Sequence, residues 1–147
     1  MDLTPHIFQS PAFQSIVDEA IVFFEQTPVQ PLPLTTRFPG CGVYALYTIG
    51  EGLYAQLGQR NRSYIQTPIY VGKAVPTGWR TGRNLGDNNP NLYTRLREHT
   101  RSIAQPSNLI LDDFCCRFMI LAGIETDLIV PVEAELIRRY APLWNTI

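Results

Sequence analysis

The apolar positions of this chain follow two rhythms. One is helical: beyond Ser10-Pro11, the residues Phe13, Ile16, Val17, Ala20, Ile21, Phe23 and Phe24 recur at helical intervals as far as about Gln26, the pattern of a helix that buries one side. Serine as N-cap and proline at the first helical position mark its start. Pro28, Pro31 and Pro33 then make residues 27–36 an extended connector, since each ring fixes φ and removes a donor. The second rhythm is that of strands. Residues 42–49 form a β-prone run of valine, tyrosines, leucine, threonine and isoleucine that suits a strand buried on both faces, ended by Gly50-Glu51-Gly52. Residues 53–62 fit a short helix and residues 67–74 a second strand. Residues 75–89 hold Pro76, Gly78, Gly82 and Gly86 and are too long for an ordinary connection, which predicts a functional or disordered loop. Asn91 is placed to cap a helix to about Ala104 with Leu92, Leu96 and Ile103 facing inward. Residues 114–121, apolar apart from Arg117, predict a third strand, and Pro131 opens a last helix to about Tyr140 striped by Val132, Leu136 and Tyr140.

Composition narrows the class. A length of 147 residues suits one domain with a single modest core, to which two tryptophans and seven each of tyrosine and phenylalanine bring bulk. No apolar run approaches the ~18–20 residues that span a bilayer, and the N-terminus has acids and a proline where a signal peptide carries a basic and then an apolar stretch. A cytoplasmic protein with no membrane partner is expected. Cys41, Cys115 and Cys116 are odd in number and form no CxxC pair, so they predict small buried hydrophobes and neither disulfides nor a zinc site. The net charge of −1 conceals an asymmetry. Residues 1–51 hold five acids and one arginine, residues 52–101 eight basic residues and two acids, and residues 102–147 six acids and three arginines. A basic middle between acidic flanks suits a protein that meets phosphate on one face. Arginines spread over a solvated surface are the alternative.

Against this background the polar residues suited to chemistry stand in a telling order. Gly42-Val43-Tyr44 and Tyr70-Val71-Gly72 each set a tyrosine and a glycine in a strand, and the only lysine, Lys73, follows the second. Arg95 and His99 come next, four residues apart, then Glu133, then Asn145 twelve residues later behind Pro142-Leu143-Trp144. This ordered set resembles the GIY-YIG nuclease superfamily over roughly residues 38–147. Pro68-Ile69-Tyr70-Val71-Gly72-Lys73-Ala74-Val75-Pro76 and Arg95-Leu96-Arg97-Glu98-His99 are most similar to its small Type II restriction endonucleases, which cut GC-rich palindromes such as CCGCGG. The resemblance implies an α/β (α+β) fold with a small three-stranded, mainly antiparallel sheet flanked by helices. Residues 38–147 would form the nuclease core with 75–89 as an inserted loop, and residues 1–37 a helix and connector packed on it. The departures are a valine at the centre of both motifs and an interval lengthened by residues 50–67, as in the restriction branch.

Hydrolysing a phosphodiester needs an activated water, positive charge near phosphorus and help for the departing 3′ oxygen. The resemblance assigns Glu133 as the ligand of a divalent cation, Mg2+ or Mn2+, although a carboxylate in a first helical turn is also favoured by the macrodipole alone. It makes Tyr44 the base or the water-positioning group, supported by Tyr70 and Lys73. By residue type alone both tyrosines are ordinary strand residues. With an unperturbed pKa of about 10, a tyrosine needs a nearby cation to act as a base near neutrality, and Lys73 is the candidate. Arg95 and His99 share a helix face, the arginine suited to the scissile phosphate and the histidine to relaying or donating a proton, or simply to a surface position beside Glu98. Asn145 fixes either the backbone or a catalytic side chain.

Specificity is expected from the loop, where Arg80, Arg83, Asn84 and Asn88 suit base edges in the major groove, phosphate contact being the alternative for the arginines. Trp79 either intercalates or pins the loop. The partner is double-stranded DNA, met by a homodimer on a palindromic site, one hydrolytic centre per half-site. The function expected is therefore a site-specific Type II endonuclease. A repair or mobile-element nuclease of the same chemistry, or a catalytically silent DNA-binding module, are the alternatives.

Overall fold

The computed structural model describes residues 1–78 and 89–146. Strand β2 (Gly42–Thr48) is buried at every position, as its unbroken β-prone run predicts. It pairs antiparallel with β3 (Tyr70–Ala74) on one side and β4 (Phe114–Ile120) on the other. A fourth strand, β1 (Gln30–Pro31), adds to the outer side of β4, so the order is β1-β4-β2-β3. Two residues of the proline-rich connector thus join the three expected strands. Pro31 is tolerated because an edge strand has one side with no partner to serve.

Period-two alternation divides the core. Val43, Ala45, Tyr47, Val71, Cys115 and Met119 face α1 (Pro11–Glu25) and α4 (Ile129–Tyr140), which cover that side with Val17, Ile21, Phe24, Ile129, Val132 and Leu136. Tyr44, Leu46, Ala74, Phe114 and Cys116 face Leu92, Leu96 and Ile103 of α3 (Asn91–Ala104), with Leu57 of α2 (Ala55–Ser63) packed alongside. Arg139 of α4 joins the two covering helices by an ion pair with Asp18, 2.8 Å. Arg117, the polar exception in its strand, is buried because its guanidinium donates to the carbonyls of Thr27 and Ile65 and lies over the Tyr47 ring at 5.9 Å. All three cysteines are buried and none is in a disulfide. Burial pushes the Cys116 thiol up to about 12 and the Cys115 thiol up to about 11, which leaves both unreactive.

Helix α1 starts as expected, with Ser10 as N-cap and Pro11 as its first residue, though the serine side chain makes no cap bond, and two other helix starts differ from expectation. Asn91 is the first residue of α3, behind Pro90 as N-cap, and its amide instead donates to the Val75 carbonyl, 2.9 Å. Helix α4 begins at Ile129, so Pro131 lies inside the first turn and Glu133 in the second. The macrodipole argument for Glu133 therefore falls away, since the effect fades beyond the first turn.

Asn61 had no sequence signal, being a polar residue in a polar segment. It is buried, donates to the carbonyls of Thr48 and Thr67, and accepts from the N–H groups of Gln66 and Thr67. One amide thereby shapes the lengthened connection between β2 and β3.

Candidate active site

Strand β3 is an edge of the sheet, and the candidate residues gather around it from both faces. In the β2–β3 register Tyr44 stands opposite Gly72 and Leu46 opposite Tyr70, so the two tyrosines share the face covered by α3, with ring centroids 6.1 Å apart. His99 on α3 packs its ring 5.5 Å from that of Tyr44 and 4.8 Å from that of Tyr70. Tyr44 Oη and His99 Nε2 lie 2.8 Å apart in a hydrogen bond whose donor follows the imidazole tautomer.

The two motif glycines make this packing possible. A Cβ on Gly42 would sit 1.8 Å from the Met119 carbonyl oxygen of β4, and one on Gly72 would sit 2.5 Å from both Cζ and Oη of Tyr44. Each glycine is needed for what lies against it. Gly72→Ala is expected to lower the unfolding free energy by about 1–3 kcal/mol through overpacking against the buried Tyr44 ring. Urea titration measures this, and an unchanged midpoint would contradict the packing.

Burial raises the Tyr44 pKa above its ordinary value, the Tyr70 hydroxyl adding to the rise and Arg95 opposing it. Burial likewise lowers the His99 pKa, helped by Arg95 and opposed by Glu98. His99 is therefore a neutral imidazole at pH 7, able to accept a proton. Arg95 is exposed and, among the described residues, has no ion-pair partner. Among the described residues the cation that opposes this rise at Tyr44 is Arg95, not Lys73. Lys73 follows Gly72 by one residue, so alternation turns it to the other face, where its Nζ donates to Glu133 Oε1 of α4 at 2.9 Å. Glu133 nonetheless lies close enough for its charge to bear on Tyr44.

Asn145 holds the edge between the two groups. Its Oδ1 accepts from the Val71 N–H and its Nδ2 donates to the Val71 carbonyl, both 2.8 Å, bracketing the residue between Tyr70 and Gly72. Next to it the Trp144 N–H donates to the Ile69 carbonyl, while the indole donates to Tyr54 Oη at 3.0 Å and stacks on Phe114. The role of Trp144 as an anchor for this bracket was not foreseen.

Among the described residues no group of three or more histidine, cysteine, aspartate or glutamate side chains is poised around a metal. A single carboxylate suits a hard cation that keeps much of its water and takes its remaining oxygens from a phosphate, and Glu133 is such a carboxylate. Arg80, Arg83, Asn84 and Asn88, with Trp79, lie outside the described residues. The chain on either side of them is tied down where Asn91 binds Val75 and where the Gly40 N–H donates to the Asn89 carbonyl, 3.0 Å. Among the described residues no helix is long and apolar enough to cross a membrane. A family model described as Eco29kI GIY-YIG domain matches residues 36–147. No curated protein matches the chain.

Proposed function

The chain belongs to the Eco29kI GIY-YIG domain family of Type II restriction endonucleases, site-specific DNA phosphodiester hydrolases, and we propose that Tyr44 and His99 act as its proton relay. The observation that carries this reading is the 2.8 Å bond between the Tyr44 hydroxyl and an imidazole kept neutral by burial and Arg95. A buried tyrosine with a raised pKa is a poor reservoir of tyrosinate. It can still pass a proton on. As water attacks phosphorus, Tyr44 Oη takes the proton the water loses and gives its own to His99 Nε2, while the 3′ oxygen leaves with the electron pair of its broken bond to phosphorus and takes a proton from solvent. Arg95, exposed and without an ion-pair partner among the described residues, binds the scissile phosphate. Tyr70 adds a second hydroxyl on the same face.

GIY-YIG nucleases generally use a divalent metal, and we assign Mg2+ or Mn2+ to Glu133. When bound, such an ion supplies Lewis-acid stabilisation of the charge that builds on the phosphate oxygens. Lys73 orients the carboxylate by holding one of its oxygens, and Asn145 keeps β3 from shifting beneath both halves of the site. The substrate we assign is double-stranded DNA carrying a GC-rich palindrome of the CCGCGG type, cut by a homodimer with one chain on each half-site. Arg80, Arg83, Asn84 and Asn88 read its bases.

Digestion of phage DNA with magnesium tests the reading. Discrete bands support it, and a smear defeats the site-specific assignment. In the loop, Arg83→Ala is expected to cost about 1–3 kcal/mol at one base position and to relax specificity there. A uniform loss on every sequence, with a shallower salt slope, would make Arg83 a phosphate contact instead.

The relay also sets the sign of the pH dependence. His99 accepts a proton only when neutral, so the single-turnover rate rises with pH as His99 loses its proton and is flat above. Because its folded pKa is lowered, the acid limb should lie below the ~6.5 of a free imidazole. A limb centred above that value would contradict the relay.

A further inference from the structure

Helix α2 turns Gly58 and Asn61 inward and packs Leu57 on the core, while Gln56, Gln59, Arg60 and Ser63 are exposed. Intervals of three, four and seven residues from Gln56 set these four along one side of the helix. Each of them carries hydrogen-bonding atoms, and the helix contains no carboxylate. Of its two arginines, Arg62 is paired with Glu51 at 3.3 Å, whereas Arg60 has no ion-pair partner among the described residues. The polar side is held close to the active site. Leu57 belongs to the same packed cluster as Tyr44 and Tyr70, so α2 lies on the face of the sheet that carries both hydroxyls. Tyr54, the N-cap of α2, accepts from the Trp144 indole at 3.0 Å, and the adjacent Asn145 brackets Val71 between Tyr70 and Gly72. Between α2 and the C-terminal turn Leu143–Thr146 opens a groove of about 450 Å³, lined by the apolar Leu53, Leu57 and Leu143 and by the polar Gln56 and Arg60.

We propose that α2 enters the major groove beside the palindrome and reads an A·T pair in the flanking DNA through Gln56 and Gln59. A glutamine amide satisfies both N6 and N7 of adenine, and the thymine opposite presents a methyl group that favours apolar contact. Amides next to the exposed Leu53 and Leu143 match that pair on both of its edges. A palindrome of the CCGCGG type contains no adenine, so the pair lies outside it. The dimensions agree: the seven-residue span from Gln56 to Ser63 covers about 10 Å along the helix, three base steps of about 3.4 Å. Arg60, on the same side, binds a phosphate of the flank. This places sequence reading on a second element besides the 75–89 loop. The inference rests on the reading of this enzyme as one that cuts a GC-rich palindrome.

Digestion of a random-sequence duplex library with magnesium, followed by sequencing of the cut ends, tests it, because the core and its flanks are read together. Wild type should favour A·T over the other pairs at a fixed flanking position by at least about fivefold. Gln56→Ala/Gln59→Ala should flatten that preference, leave the core unchanged and keep the circular dichroism of wild type, since both side chains are exposed. Gln56→Glu should move the preference towards cytosine, whose N4 donates to a carboxylate. Arg60→Ala should weaken binding on every flank alike and make the salt slope shallower by about 0.9. Equal use of all bases at each flanking position by wild type, or glutamine variants that keep its preference, would overturn the role of α2. So would an adenine within the core whose selection is lost in those variants. Failure of the palindrome reading looks different: ends with no defined core overturn both, whereas a defined core with flat flanks overturns α2 alone.

Discussion

Glu133→Gln should leave the enzyme bound to DNA and nearly unable to cut it. The exchange keeps shape and one oxygen but removes the negative charge on which a divalent cation would depend, and with it several kcal/mol of stabilisation as charge builds at phosphorus. Single-turnover cleavage is expected to fall about 10³-fold or more, with the gel-shift affinity within a few-fold of wild type. The broken pair with Lys73 is separated from this loss by a urea titration of the same variant: the pair is partly solvated, the lysine 39% and the glutamate 15% exposed, so its cost appears in the unfolding midpoint and not in the chemical step. A variant that cuts at the wild-type rate would remove Glu133 from the metal site.

Tyr44→Phe is the second large effect. Phenylalanine fills the same buried space against Gly72 and loses only the hydroxyl that meets His99, so folding and DNA affinity should change little. The chemical step should slow by about 10² to 10⁴-fold, the usual worth of a positioned proton-transfer group. The residual rate should also lose its acid limb, because His99 then no longer receives the proton. Unchanged single-turnover rates would assign water activation elsewhere. A slowed rate that keeps the full acid limb would mean that His99 serves the reaction by another route.

Much of this site was legible before folding was considered. The two tyrosine–glycine strands, the arginine and histidine four apart, and the glutamate ahead of the asparagine are local patterns in a fixed order. The cation for Tyr44 was misread. Adjacency in sequence suggested Lys73, but in a strand the neighbouring residue points to the opposite face, and the charge that acts on Tyr44 comes from Arg95 on a packed helix. Glu133 was expected at a helix start because Pro131 looked like the first helical residue, whereas Ile129 begins the helix and carries Glu133 into the second turn.

The sequence by itself determined the elements that depend on short-range rules: the fully buried run of β2, the edges of β3 and β4 to within a few residues, and the inner stripe of α3. Period and propensity act over a few residues, so they can be read one residue at a time. Only the tertiary structure decided that Pro31 closes an edge strand, that Asn61 ties a connection together, and that Gly72 is a glycine because the Tyr44 ring lies on it. It alone brought Tyr44 to His99 across 55 residues of chain and Val71 to Asn145 across 74. Those contacts exist because the two faces of one sheet are each packed against helices from elsewhere in the chain, and no local pattern specifies which side chains meet when they close.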